Sequence, residues 1–204
     1  MDEVKRQIKE SAQSDVAIGK NQRNLYMNGE PDHPSKNEIK RRIIAAIFTL
    51  YQHDRELLEV NASERSITHK LAEHLSGEFP SWHVDCEYNR RGSDVKRLSF
   101  DFGKLEPCDL EAKTVFPDII VHRRRTDQNL IVMEVKKATG AEATKDIEKL
   151  KAFTGNPEYD YEHGVFLKLD LNCNVILELY KDGTYEEDWT VDLKHELRRL
   201  GYGE

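Results

Sequence analysis

No Cys-x-x-Cys pair occurs in this chain, and its three cysteines, Cys86, Cys108 and Cys173, are odd in number and far apart. Neither a structural zinc site nor a disulfide framework is expected from such a pattern. The histidines His53, His69, His74 and His83 show no metal-ligand spacing and read as surface or capping residues. Long apolar runs are missing too. The longest helical one, Ile43 to Tyr51, follows two arginines and is too short to span a bilayer. No secretory apolar region lies near Met1. The expectation is a cytoplasmic protein without a membrane partner.

A strong basic footprint is also lacking. The formal net charge is −7, from 31 Lys and Arg against 38 Asp and Glu. The distribution tempers that figure. Residues 152–204 hold five basic and twelve acidic side chains, so residues 1–151 balance at 26 of each. Within them, residues 121–151 carry eight basic and five acidic residues. The acidity belongs to the C-terminal end, and the middle of the chain is compatible with phosphate contacts.

What is present is charge placed inside apolar strands. Phe116-Pro-Asp-Ile-Ile-Val121 and Leu130-Ile-Val-Met-Glu-Val-Lys136 flank the polar loop His122 to Asn129. Asp118 sits in the first run, and Glu134 and Lys136 in the second. Burying an unpaired charge is expensive, so acids in apolar strands usually pair or bind metal. A hairpin centred near Arg125 and Thr126 pairs residues whose numbers sum to about 251, which places Asp118 opposite Met133 or Glu134. Side chains alternate along a strand, so Glu134 and Lys136 point the same way. One register gathers two carboxylates and an ammonium on one patch; a slip of one residue separates them. In a chain that is 34% charged, a Glu-x-Lys on an exposed strand is ordinarily a solvated pair. Here both runs are apolar on both faces, which argues for strands covered on both sides.

Hard divalent cations such as Mg²⁺ or Mn²⁺ are held by one or two carboxylates, with water and substrate phosphate completing the set. Pro117-Asp118, fifteen intervening residues and Glu134-Val135-Lys136 resemble the signature of the PD-(D/E)xK nuclease superfamily, the restriction-endonuclease-like enzymes. The element order over about residues 61–180 is similar as well: a helix with a glutamate, a strand, the hairpin, a second helix and another strand. The resemblance implies that Asp118, Glu134 and the carbonyl of Val135 hold Mg²⁺ or Mn²⁺. It further implies that Lys136 positions the attacking water and that Glu64 reaches towards the metal.

Around the hairpin, residues 1–34 read as a polar extension and 35–204 as one domain. Ser35 and Glu38 form a capping-box pattern, and Ile39, Ile43, Ile47, Leu50, Leu57 and Leu58 give a helical stripe to about residue 60. Lys40, Arg41 and Arg42 fall on the opposite, solvated face. Asn61 as N-cap with Glu64 three positions into the next helix is a structural alternative for Glu64. Trp82 to Tyr88 alternates as a strand. Residues 95–114 read as an insertion, preceded by Arg91 as a candidate phosphate contact. A helix from about Ala141 to Thr154 carries Lys145 and Lys149 on one face. Either could touch substrate, or they could pair with Glu142, Asp146 and Glu148. Gly164 to Leu169 reads as a buried strand beside the second hairpin strand.

The expected fold is α/β, a mixed central sheet flanked by helices with a restriction-endonuclease-like αβββαβ core. The expected function is metal-dependent hydrolysis of nucleic-acid phosphodiesters, DNA foremost, by a chain able to dimerise. The alternative is a non-catalytic nucleic-acid-binding or protein-interaction module that keeps the fold.

Overall fold

The structure, a computed structural model, describes residues 32–88, 90–91, 94–95, 97–98, 113–114, 116–140 and 143–199. The chain divides after Ser35, and the elements below belong to the unit Lys36–Glu204. Helices α1 (Lys36–His53), α2 (Glu56–Glu59) and α3 (Glu64–Glu78) precede strand β1 (His83–Cys86). Two short ladders follow, β2 (Arg90–Arg91) with β3 (Asp94–Val95) and β4 (Arg97–Leu98) with β5 (Lys113–Thr114). Then come the hairpin β6 (Ile119–His122) and β7 (Asn129–Lys137), helix α4 (Thr144–Gly155) and strands β8 (Tyr161–Leu169), β9 (Asn174–Lys181), β10 (Thr184–Asp188) and β11 (Val191–Asp192). Helix α5 (Lys194–Arg199) ends the described chain.

The result is a mixed α/β fold with a seven-stranded sheet in the order β1-β6-β7-β8-β9-β10, with β11 also paired to β9. Only β7 and β8 run parallel, joined through α4; the other pairings are antiparallel. A parallel pair needs a crossover, and α4 supplies it. Odd-numbered residues of β6 and β7, Ile119, Val121, Ile131, Met133 and Val135, pack with α1 and α3. Even-numbered Ile120 and Val132 pack with Leu150 and Phe153 of α4. Both faces are therefore covered, as the doubly apolar runs require.

Seven hairpin side chains, Ile119, Ile120, Val121, Leu130, Ile131, Val132 and Met133, are fully buried. Each stabilises the fold by about 1.5–3 kcal/mol. Together they exceed the several kcal/mol that burying an ionised carboxylate costs. Helix α4 sits close because Gly164 lacks a side chain: a Cβ there would lie 3.0 Å from Thr154 and 3.4 Å from Leu150.

Three local expectations are corrected. The stripe in α1 ends at His53, and Leu57 and Leu58 belong to α2. Arg42 is buried rather than solvated: its guanidinium bonds Glu38 at 2.8 Å and lies over the Phe79 ring at 5.4 Å. Helix α3 is capped by Ser63, whose Oγ accepts from the Ser66 N–H, not by Asn61. Asn61 instead has a positive φ of 52° and accepts from Lys137 Nζ. Glu64 is thereby free of the capping role.

Candidate active site

Asp118 stands in a bend immediately before β6, and Glu134 in β7. The hairpin pairs Ile119 with Met133 and Ile120 with Val132, a sum of 252, one more than the expected value. Continued by one residue, this register sets Asp118 against Glu134. The Asp118 side chain reaches across to β7, where its Oδ2 accepts the Val135 N–H at 2.7 Å. Glu134 is 1% exposed, and its Oε1 has no hydrogen-bond partner among the described residues. A buried, unmatched carboxylate oxygen is rare in folded proteins and calls for a cation or a proton.

Helix α4 supplies two further charges. Lys149 Nζ donates to Glu134 Oε2 at 2.8 Å and to Asp146 Oδ1 at 3.2 Å. Asp146 Oδ2 lies 3.2 Å from Lys136 Nζ, which is also 3.6 Å from Glu64 Oε2. Glu64, at the start of α3, accepts the Lys137 N–H at 3.2 Å through its other oxygen. One continuous cluster therefore joins α3, β7 and α4. With Asp118, which joins it through the Val135 N–H, it holds four carboxyl and two ammonium groups, two more acids than bases.

The electrostatics follow from burial first. Desolvation, the Asp118 charge next to it and incomplete compensation by Lys149 push the Glu134 carboxyl well above its ordinary range. Asp118 is also raised by burial, against the opposing Val135 N–H and Lys149. Asp146 is desolvated too, but the two lysines overcome that and hold it below the usual range. Burial works to lower both lysines; Asp146 outweighs it at Lys136, and Glu134 with Asp146 at Lys149, so both ammonium groups end up raised. Glu134 and Asp118 thus resist ionisation, while Asp146 favours it.

The residues fit a hard divalent ion. Two adjacent acids that resist sharing two negative charges, an orphan buried oxygen and two more acids than bases are what such a cation relieves. Among the described residues no group of three His, Cys, Asp or Glu converges as a metal cage. A set of two carboxylates and the Val135 carbonyl is the smaller set Mg²⁺ uses when water and phosphate fill the remainder.

Of the other residues singled out from sequence, Lys145 is exposed on α4, outside the cluster. Arg91 lies in β2, and its side chain is outside the described residues, as are most of the insertion 95–114 and residues 1–31 of the extension. Lys149 turns into the site and also makes the expected pairing with Asp146, at 3.2 Å; Glu142 lies outside the described residues. Asp146 was not among the candidates. Its signal was available: it lies four and seven residues before Leu150 and Phe153 on the buried side of α4, the same misplaced charge that marks Glu134. A second polar cluster lies at the other end of the hairpin. There Asp85 takes His122 Nε2 at 2.8 Å and Arg124 Nε at 2.9 Å.

No protein-family model matches this chain, and no curated protein shows significant similarity to it.

Proposed function

We propose that the chain is a divalent-metal-dependent nuclease of the restriction-endonuclease-like kind, hydrolysing phosphodiesters of nucleic acid, with DNA the first substrate to test. The observation that carries the reading is the orphan Oε1 of Glu134, buried beside Asp118 inside an otherwise apolar strand. The element order supports it: α3 with Glu64, β1, the β6–β7 hairpin, α4, then β8 parallel to β7.

In this reading Asp118, Glu134 and the Val135 carbonyl hold Mg²⁺ or Mn²⁺. When bound there, the cation would neutralise charge on the phosphodiester and make an attacking water more acidic. Lys136, held between Asp146 and Glu64, orients that water and meets the charge that grows on the phosphate. Lys149 favours the ionised form of Glu134, against its burial and the neighbouring Asp118. Asp146 acts through the two lysines, as a positioning residue. Glu64 ties the start of α3 to the end of β7, fixing where Lys136 points.

The test is cleavage of DNA and RNA substrates with Mg²⁺ or Mn²⁺, compared with Glu134→Ala and Lys136→Ala proteins of unchanged circular dichroism. Loss of metal-dependent cleavage in both supports the proposal. Divalent ions that give neither thermal stabilisation nor cleavage in the parent protein would overturn it.

A further inference from the structure

Lys168 on β8 pairs directly with Lys136 on β7, and with Ile176 on β9. Neighbouring strands lie about 4.8 Å apart, and paired residues stand on the same face. Lys168 therefore shares the sheet face of Lys136 and of Glu134, two residues earlier on β7. Helix α4 covers that face over Val132, Gly164 and Phe166. Past Phe166 the cover ends: Lys168 is half-buried and Ile176 is 40% exposed.

The other ammonium groups near this end of the sheet are engaged. Lys136 faces Asp146 and Glu64, Lys149 faces Glu134 and Asp146, and Lys137 bonds Asn61 and the Ala62 carbonyl. The Lys168 side chain has no hydrogen bond or ion pair among the described residues. The acid diagonal to it on β9, Glu178, accepts the Tyr180 hydroxyl at 2.6 Å. Lys168 therefore presents its ammonium between Phe166 and Ile176 with no protein partner among the described residues.

We propose that Lys168 binds a phosphate of the substrate adjacent to the one attacked at Asp118 and Glu134, so that a nucleic-acid strand crosses the β7–β8–β9 face. This rests on the nuclease reading above and deepens it. The substrate class it selects is an oligonucleotide with phosphates on both sides of the cut, not a mononucleotide ester. Ile176 offers an apolar contact to sugar or base along the same path. Beyond β9, the β10 edge carries Glu186, Glu187 and Asp188; Lys36 pairs with the first two at 2.7 and 3.1 Å, and the edge keeps a net negative charge that does not attract the strand.

Binding of a fluorescent oligonucleotide is measured by anisotropy in chelator, where no cleavage occurs, at several salt concentrations. Lys168→Gln is expected to weaken binding about five- to tenfold near 0.1 M salt and to reduce the salt slope by about one. Lys168→Arg restores both, and Lys181→Gln, at the far end of β9, leaves both unchanged. In cleavage assays Lys168→Gln raises KM by the same factor with kcat nearly unchanged. Unaltered binding in Lys168→Gln, a loss equal to that of Lys181→Gln, or no oligonucleotide binding by the parent chain overturns the inference. Failure of the nuclease reading shows separately, as binding that depends on Lys168 without metal-dependent cleavage.

Discussion

Lys149 on α4 reaches Glu134 on β7 across fifteen residues of chain, with Nζ 2.8 Å from Oε2. The pair is not a surface salt bridge, since the Glu134 side chain is 1% exposed and that of Lys149 25%. An exposed pair would be worth well under about 1 kcal/mol. Here, removing the lysine leaves the buried Glu134 carboxyl without its counter-charge, to stay ionised unpaired or to take up a proton, at a cost either way. Lys149→Met is expected to destabilise the metal-free protein by about 3 kcal/mol at neutral pH, read in urea unfolding. Adding Glu134→Gln should recover much of that loss, because the unpaired carboxyl goes with it. An additive double mutant would show that the two residues do not act as a pair.

The raised Glu134 carboxyl sets a pH dependence. Its folded pKa lies above its unfolded value, so between the two the folded state binds more protons. Stability of the metal-free protein therefore falls as pH rises from the ordinary carboxylate range through the raised folded value. Asp118 contributes in the same direction. Metal binding requires both groups ionised, so it strengthens over the same interval. Thermal melts should show a rise in midpoint with Mg²⁺ or Mn²⁺ that is larger at pH 8 than at pH 6. In Glu134→Gln both the metal response and much of the pH slope should vanish.

Gly140 tests the placement of Glu64. A Cβ at Gly140 would lie 2.6 Å from Glu64 Oε1 and 3.0 Å from the Lys137 carbonyl. The carboxylate is the flexible partner and would swing away, releasing the Lys137 N–H and one anchor of Lys136. Gly140→Ala should cost about 1 kcal/mol in stability, because the carboxylate end absorbs the closer clash and the Lys137 carbonyl need shift only slightly. Its cleavage rate should nevertheless fall about tenfold, the effect expected of a misplaced catalytic group. Glu64→Gln, which keeps the shape and loses the charge, should show a similar rate defect without the stability cost.

Asp146 holds Lys136 and Lys149 together. Replacing it with Asn removes the largest influence that raises the Lys136 pKa, while burial continues to lower it. The alkaline limb of a pH–rate profile should then move to lower pH, with kcat reduced about 10- to 100-fold. A change in rate with an unmoved profile would leave Asp146 a structural residue only. Because Asp146 is itself held below the usual range, the stability it confers is present above the ordinary aspartate range and lost on acidification through its depressed value.

The hairpin was legible because its signals are local. Apolar runs of strand length, a polar loop and alternating side-chain directions locate Asp118, Glu134 and Lys136 without knowledge of any distant segment. Their joint placement was less secure, since a slip of one residue in β6 against β7 would have turned them to opposite faces. The His122–Asn129 pairing, where the register shifts, shows how the loop absorbs that ambiguity. Helix α3 and its glutamate were also visible. Asn61 does not cap that helix, because Ser63 competes for the same role two residues later.

Composition and periodicity alone establish an α/β chain with a doubly covered hairpin that buries acid. Which charges meet that acid depended on the crossover through α4 and the parallel β7–β8 pairing, contacts between residues far apart in sequence. Those pairings bring Asp146 and Lys149 over Glu134 and set Lys168 beside Lys136. Local patterns report which face a residue presents, but not what stands opposite it. That is decided only when the helix docks on Gly164 and the strands find their register.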